Sequence, residues 1–341
     1  MSTIHELIRA LPKAELHLHL EGSVSVTTLL DLAAKHGKRM PPDITPDTLF
    51  QFNDLDDFIR VASLTFSVML DADDFSRVTF EMLEQSALHG ARHVEFFFSP
   101  SSHPTLSYAS MLEGIRDGML RARELYGMSS MIIPSHNRML GHEASISFID
   151  MVVAERCDEV VGIGLEFAEL PFPPEQYETL YRRAEAAGLR LTAHAGEEGP
   201  AGYVRTSVRQ LGCRRIDHGY HIVDDPALVE ECRELNIAFT CCPTTTRHTT
   251  IWKNPADIAH PIHQMIKAGL KVSINTDDPG FFQTDLTTEY ASLNLPFETL
   301  GKIAMDSLET SWLPAHTKRL WGDEWRAIIR ALEARSAALP S

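Results

Sequence analysis

His17 and His19 are separated by one residue at the end of a short apolar run within residues 15–22. In a β-strand, side chains two positions apart point to the same face of the sheet. The spacing therefore directs two imidazoles toward one point, as a divalent metal ion requires. Taken alone, the pair is equally compatible with a surface position or with two hydrogen-bonded histidines in the core.

Three further polar clusters follow other apolar, strand-like runs, at residues 192–199, 216–219 and 274–279. Taken singly, each cluster is typical of a turn, a helix cap or a hydrogen-bonded structural residue. All of them nevertheless come where a strand ends, and in a parallel barrel the carboxyl ends of the strands meet at one mouth. We therefore interpret them together as one site.

The imidazoles of His17, His19 and His194 and the carboxylate of Asp277 would form a ligand set for Zn²⁺ with one position left for water. A bound metal lowers the pKa of that water from about 15.7 toward about 7. The same donors also suit Fe²⁺ or Mn²⁺. The fourth strand ends at Glu166 without the lysine that bridges two metals in binuclear hydrolases of this fold, so we expect one ion.

The remaining polar residues have the chemistry that hydrolysis needs. Glu197 is placed to act as the acid, and a desolvated pocket would raise its pKa so that it holds a proton. His218 can accept a hydrogen bond from the attacking water, and Asp278, next to the metal carboxylate, is free for the substrate. The pattern predicts a hydrolytic site with one metal.

Apolar runs that alternate with amphipathic stretches predict an α/β fold, a (β/α)8 barrel of the TIM type, with a doubly wound open sheet as the alternative. We expect a single domain over 1–341 with extra helices inserted after the first strand, about 24–90. That insertion is interpreted as core, with a substrate lid as the alternative, and further helices span about 296–338. The predicted strands are 14–20, 91–98, 128–134, 159–165, 189–194, 214–217, 236–242 and 271–276.

Composition narrows the class of protein. The chain has 341 residues and a net charge of −16, and it lacks the basic stripe that nucleic-acid binding requires. Five cysteines without CxxC spacing are expected to be reduced and mostly buried. No signal peptide and no membrane-spanning run is evident. We expect a cytoplasmic protein without nucleic-acid or membrane partners, with a homo-oligomer left open.

The motifs HLHLEG, HAGEEGP, RIDHG and NTDDP, in this order, resemble the adenosine/adenine deaminase family of the amidohydrolase superfamily. The resemblance runs from about Leu11 to Leu308. It implies a barrel that hydrolyses the 6-amino group of a purine and releases ammonia. It also implies the ligands named above, Glu197 as proton donor to N1, His218 as the residue that orients the nucleophile, and Asp278 as the partner of N7. The zinc signature of cytidine deaminases is absent.

Within the family, Glu21 and the HAGEEGP motif are similar to the free-base branch, and the resemblance places Glu21, Glu169 and Gly196 near the substrate. Glu169 would bond N3 or N9 of a free base, with a solvated loop acid as the alternative. The first expectation is therefore adenine deamination in purine salvage. The alternatives are an adenosine deaminase, an enzyme for N6-substituted adenine, and a non-catalytic purine-binding protein.

Two loops depart from the family pattern. The segment 166–169 reads EFAE where DSSE is common, and 242–248 reads CPTTTRH where CP followed by Leu or Ser and SN is common. Both loops should line the mouth of the barrel. The purine chemistry is therefore expected to be retained while the periphery of the substrate site is altered, with Arg247 and His248 either exposed or facing a polar appendage.

Overall fold

The computed structural model describes residues 3–40 and 55–339, and it describes the side chains from residue 62 onward in the second range. Every strand pairing in these residues is parallel. The strands are β1 (Lys13–Glu15), β2 (Ala91–Phe98), β3 (Ser129–Asn137), β4 (Gly162–Glu166), β5 (Arg190–Leu191), β6 (His194–Ala195), β7 (Arg215–His218), β8 (Ala238–Cys241) and β9 (Lys271–Ile274).

These strands close into a barrel. The order β1-β2-β3-β4-β5 continues as β6-β7-β8-β9, because β5 and β6 are two pieces of one strand. Between the two pieces, Thr192 N–H donates to Ile163 on one side (3.2 Å) and Asp217 N–H donates to Ala193 on the other (2.9 Å). A parallel bridge between Leu18 and Asp277 joins the first strand to the last. The eight-stranded barrel is thus confirmed, and the open-sheet alternative is wrong.

The helices follow the strands as expected for this fold. In order they are α1 (Ile4–Ala10), α2 (Val26–Lys35), α3 (Leu55–Val68), α4 (Ala72–Leu88), α5 (Tyr108–Tyr126), α6 (Gly141–Ala154), α7 (Glu178–Ala186), α8 (Ala201–Arg209), α9 (Pro226–Glu234), α10 (Pro243–Thr249), α11 (Pro261–Lys267), α12 (Pro279–Phe282), α13 (Leu286–Ser292), α14 (Phe297–Thr310) and α15 (Ala315–Ala337). Short 3₁₀ turns lie at Glu21–Ser23, Pro100–Ser102, Arg138–Leu140, Pro174–Tyr177 and Tyr220–Asp224.

The segment after the first strand contains α2, α3 and α4, in agreement with the predicted insertion, of which residues 41–54 lie outside the described part of the chain. Ser25 and Asp71 cap the starts of α2 and α4 through side-chain oxygens that accept backbone N–H groups. Val68 and Met69 are buried, which supports the interpretation of this region as core. Helices α14 and α15 match the predicted C-terminal helices. That the chain is one domain stays a prediction.

The barrel end opposite the mouth is closed by buried polar contacts. Arg215 on β7 forms an ion pair with Glu95 on β2, and its guanidinium stacks 3.8 Å from the ring centroid of Trp312. The ammonium of Lys13 donates to the carbonyls of Ile8, Leu11 and His89. Each buried charge therefore has partners, as burial requires.

Two composition-based expectations can be compared with the described residues. None of the five cysteines is in a disulfide, and all are buried except Cys157, which is partly buried. Within the described ranges, no helix combines the length and the apolar character needed to cross a membrane.

Candidate metal centre and active site

The four predicted metal ligands lie together at the mouth of the barrel. Nε2 of His17 is 3.1 Å and Nε2 of His19 is 3.4 Å from Oδ1 of Asp277. Nε2 of His19 is 3.3 Å from Nε2 of His194. His17 and His19 follow β1, His194 begins β6 and Asp277 follows β9, so the two closing strands supply three of these side chains.

These distances fit a tetrahedral ion. Ligands about 2.05 Å from a central metal are about 3.3 Å from one another, which matches the three separations. Without a metal, one Nε2 of this pair carries a hydrogen that it donates to the other, and a bound ion would replace that hydrogen. His17, His194, His218 and Asp277 form a group whose donor atoms all lie within 4.8 Å of one another, so His218 stands in this group where the sequence predicted His19. The donor set thus fits a divalent cation.

The opposite nitrogens of the imidazoles are held by the protein. Nδ1 of His17 donates to the Thr240 hydroxyl (2.9 Å), which donates to Oδ1 of Asp217 (2.9 Å). Nδ1 of His194 is 3.5 Å from Oδ2 of Asp217, and Nδ1 of His19 is 3.2 Å from Oε2 of Glu166. Partners on Nδ1 fix each ring so that Nε2 faces the centre, as in known metal sites.

Burial and charge set the protonation states. Burial lowers the pKa of His194 to about 4, and it also lowers the pKa of His17, so both rings are neutral ligands at neutral pH. Burial alone would raise the pKa of Asp277, but His17 and the neighbouring histidines hold it well below its usual value. Burial alone would lower the pKa of His19, but the carboxylates of Asp277 and Glu166 raise it well above its usual value, so this ring must release a proton before its Nε2 can bind a metal.

Glu197, His218 and Asp278 surround this centre. Oε2 of Glu197 is 3.5 Å from Nε2 of His218, and burial raises the pKa of Glu197. Burial, and then the charge of Asp277, raise the pKa of Asp278 well above its usual range. A Cβ on Gly22 would lie 1.7 Å from Oδ1 of Asp278, so only glycine allows the first loop to approach that carboxyl.

Left-handed backbone conformations occur at the ends of three strands. Phe167, His218 and Asp277 have φ values of 70°, 66° and 64°. Such values are uncommon for residues other than glycine and cluster at functional sites. Phe167 directly follows β4, His218 ends β7 and Asp277 comes three residues after β9, so each left-handed residue changes the direction of the chain near the mouth.

Glu169 and Gly196 have contacts that the sequence did not reveal. Both oxygens of Glu169 accept backbone N–H groups, Oε2 from Gly196 (2.9 Å) and Gly199 (3.1 Å) and Oε1 from Glu197 (3.0 Å). The alternative of a solvated loop acid is wrong, because Glu169 is only 2% exposed. The carbonyl of Gly196 accepts from His221 N–H (2.9 Å). A direct bond from either residue to a purine stays a prediction, and their observed contacts hold the loop that carries Glu197.

Glu21 is likewise engaged with the protein. Its Oε1 accepts from the backbone N–H of Ser99 (2.9 Å) and lies 3.1 Å from Nε2 of His103. The ring of Phe66 on α3 packs edge-on against His103 at 5.8 Å between centroids. Glu21 therefore links the first loop to the loop after β2, and a contact with substrate stays a prediction.

Helix α10 brings to the site residues to which sequence analysis assigned no role. The Thr245 hydroxyl donates to Oδ2 of Asp277 (2.8 Å), and the Thr249 hydroxyl donates to Oε1 of Glu197 (2.7 Å). Arg247 and His248 are exposed, in agreement with the first of the two expectations for them, and His248 stacks on Phe282 at 4.8 Å. Asp217, Glu166, Thr240, Thr245 and Thr249 are thus the site residues that sequence reasoning missed.

A second group of potential ligands, His36, Asp71 and Asp74, lies near the start of α4. The ammonium of Lys35 is 2.9 Å from Asp71 and 2.6 Å from Asp74. Because the Lys35 ammonium already forms ion pairs with both carboxylates, this group is a salt-bridge cluster at the start of α4.

Comparison with known proteins agrees with this site. The family model described as Adenosine deaminase matches residues 12–326. The chain is 33% identical over 325 residues to the adenine deaminase of Cupriavidus necator, covering 93% of this chain and 92% of that protein. It is 34% identical over 332 residues to the adenine deaminase of Schizosaccharomyces pombe, covering 92% and 90%.

Solved structures give the same result. An amidohydrolase from Burkholderia ambifaria with bound Zn has a TM-score of 0.92 and 31% identity, covering 99% of this chain and 96% of that one. The adenine deaminase of Arthrobacter aurescens has a TM-score of 0.89 and 29% identity, covering 94% and 100%. The chain therefore belongs to the adenosine deaminase family of the amidohydrolase superfamily.

Proposed function

We propose that this protein is a metal-dependent purine aminohydrolase that converts adenine to hypoxanthine and ammonia. The observation that carries the proposal is the convergence of His17, His19, His194 and Asp277, with separations that fit one ion, next to an acid of raised pKa. The relatives named adenine deaminase, and the related structure with bound Zn, support the substrate and the metal.

In this proposal, His17, His19, His194 and Asp277 hold one Zn²⁺, with Fe²⁺ or Mn²⁺ as alternatives. When bound, the ion supplies Lewis acidity that makes water a nucleophile near neutral pH. The remaining chemistry belongs to the side chains around it, Glu197, His218 and Asp278.

Glu197 is the acid. Its raised pKa keeps a proton on the carboxyl at pH values where a free glutamate is ionised, and it transfers that proton to the ring nitrogen next to the reacting carbon. His218 accepts a hydrogen bond from the attacking water and stabilises charge on the entering oxygen. Asp278, protonated because of burial and the neighbouring Asp277, donates a hydrogen bond to the imidazole side of the purine.

Support for a free base rather than a nucleoside comes from Glu21. Its Oε1 already receives the Ser99 N–H and lies 3.1 Å from Nε2 of His103, so this oxygen is engaged with the protein rather than free for a ribose hydroxyl. The N6-substituted alternative is favoured by Phe167, a 38% exposed aromatic residue at the end of β4 where related sequences commonly have serine. One panel of purines distinguishes a free base, a nucleoside and an N6-substituted adenine as substrates.

The test is ammonia release by the Zn²⁺-loaded protein from adenine, adenosine and N6-methyladenine, compared by kcat/KM. We expect adenine to have the highest value, and Glu197→Gln to lower kcat by about 10²–10⁴-fold at unchanged metal content. The matched control is Glu198→Gln, since Glu198 is the adjacent residue and its side chain is exposed. Full activity of E197Q contradicts the acid assignment. No ammonia release from any of the three purines contradicts the function.

Cytoplasmic location, a purine as the small-molecule partner and a homo-oligomeric state are part of the proposal only as expectations from the sequence. The non-catalytic alternative predicts purine binding without ammonia release in the same assay.

A further inference from the structure

Helix α10 directs two hydroxyl groups at two acids of the site. Thr245 and Thr249 are four residues apart and so lie on the same face of the helix. Thr245 donates to Oδ2 of Asp277 at 2.8 Å, and Thr249 donates to Oε1 of Glu197 at 2.7 Å. Thr245 belongs to the segment 242–248, which departs from the family pattern, and Thr249 directly follows that segment.

The backbone and the side chain of Glu197 are held separately. Glu169 accepts the N–H groups of Gly196, Glu197 and Gly199, which fixes the loop but leaves the side-chain torsions of Glu197 free. At the tip, Oε1 meets the Thr249 hydroxyl, whereas Oε2 lies 3.5 Å from Nε2 of His218 and faces the centre. Among the described residues, Thr249 supplies the hydrogen bond to Oε1 of Glu197.

The single hydroxyl hydrogen of Thr249 has two acceptors within reach. The carbonyl of Thr245 lies at 3.2 Å, and Oε1 of Glu197 lies at 2.7 Å. The shorter contact identifies Oε1 of the carboxyl as the acceptor. A hydroxyl that donates to Oε1 disfavours a proton on that oxygen, because two hydrogens would then compete for one short contact.

We propose that Thr249 is a positioning residue for Glu197 and fixes its proton on Oε2. The inference rests on the proposed function. In the proton transfer, the bond between Oε2 and hydrogen breaks, a bond from hydrogen to the purine nitrogen forms, and the electron pair stays on the carboxylate. The Thr249 hydroxyl donates to Oε1 before and after this step, so the carboxyl keeps its orientation in both protonation states.

The experiment compares Thr249→Val, which keeps the shape of the side chain and removes the hydroxyl, with Thr249→Ser, which keeps the hydroxyl. The control is Thr250→Val, because the Thr250 hydroxyl contacts backbone groups, donating to the carbonyl of Thr246 (2.7 Å) and accepting the N–H of Trp252 (3.1 Å) at the end of α10. Each protein is loaded with Zn²⁺ and assayed with the 6-aminopurine that the wild type hydrolyses best. Crystal structures of the wild type and T249V give a readout that does not depend on activity.

We expect T249V to lower kcat about tenfold while KM changes less than about twofold, because orientation of the acid matters in the transition state rather than in binding. T249S should recover kcat to within about threefold of the wild type, and T250V should match it. In the double variant with Glu197→Gln, T249V should add no further loss. In the crystal structure of T249V, we expect the Glu197 carboxyl to occupy more than one position.

An active T249V with unchanged kcat overturns the inference and leaves the proposed function standing. A T249S as slow as T249V also overturns it, since the hydroxyl would then not be what matters. If the wild type deaminates no purine, the proposed function fails, and the position of the Glu197 carboxyl in the two crystal structures still tests whether Thr249 holds it.

Discussion

Asp217 offers a strong test of the metal centre, because it contacts the ligands without being one. Its Oδ1 accepts from Thr240 (2.9 Å) and its Oδ2 accepts from Thr192 (2.8 Å). The same oxygens lie 3.7 Å from Nδ1 of His17 and 3.5 Å from Nδ1 of His194. Asp217→Asn keeps the size of the side chain and removes the negative charge that faces both rings.

Loss of such an outer partner typically weakens metal binding by about 10–100-fold. Since Asp217 serves two ligands, we expect the upper part of that range, about 2–3 kcal/mol. At a free Zn²⁺ concentration of about 100 times the wild-type Kd, Zn²⁺ stabilises the wild type by about 2.7 kcal/mol. A variant with a Kd about 100-fold higher would gain only about 0.4 kcal/mol under the same conditions.

The assays are competition with a chromophoric chelator for the Kd, and denaturant unfolding with and without Zn²⁺ for the stabilisation. The control is Asp224→Asn, which removes an exposed carboxylate paired with His221 at 2.8 Å. A D217N protein that binds Zn²⁺ as tightly as the wild type would refute the reasoning that links Nδ1 partners to the metal centre. An equally large loss of Zn²⁺ affinity in D224N would also refute it.

Two further predictions concern stability and pH. Lys13→Met should lower the free energy of unfolding by about 3–5 kcal/mol in denaturant titrations, because two buried carbonyls and the part-buried carbonyl of His89 lose the Lys13 ammonium as their donor. Lys38→Met, on the exposed surface, should change the free energy of unfolding by less than about 0.5 kcal/mol. Equal effects of the two substitutions would contradict the argument. Because burial raises the pKa of Glu197, kcat/KM should stay high above the pH where a free glutamate ionises and then fall about tenfold per pH unit as the pH rises through that raised pKa; a profile over pH 4–9 that already falls near pH 4.5 would contradict it.

The strands and the identity of the central residues follow from local patterns in the sequence. The apolar run at 91–98 coincides with β2, and Gly188 and Gly269 end their helices with φ of 72° and 78°. The alternation of His17 and His19 correctly places both Nε2 atoms near Asp277, although the regular part of β1 ends at Glu15. Periodicity specifies which face a residue lies on, and barrel closure then determines which faces meet.

The outer contacts could not be obtained in this way. Thr249 lies 52 positions from Glu197, and their contact depends on how α10 leaves β8. The carboxylate of Glu169 turns back to three amides because the loop after β4 begins with Phe167 in a left-handed conformation that no propensity favours for an aromatic residue. Such contacts depend on loop conformation rather than on pattern, so sequence reasoning assigned Glu169 to the substrate or to solvent.

The bridge between Leu18 and Asp277 has a consequence for how the protein matures. Asp277 is synthesised 260 positions after His17, so the imidazoles of His17 and His19 leave the ribosome well before their carboxylate partner. A chain whose synthesis stops before Asp277 carries both histidines without the carboxylate that completes the proposed ligand set. The complete ligand set of the proposed centre therefore exists only after the last strand of the barrel has been synthesised and has paired with the first.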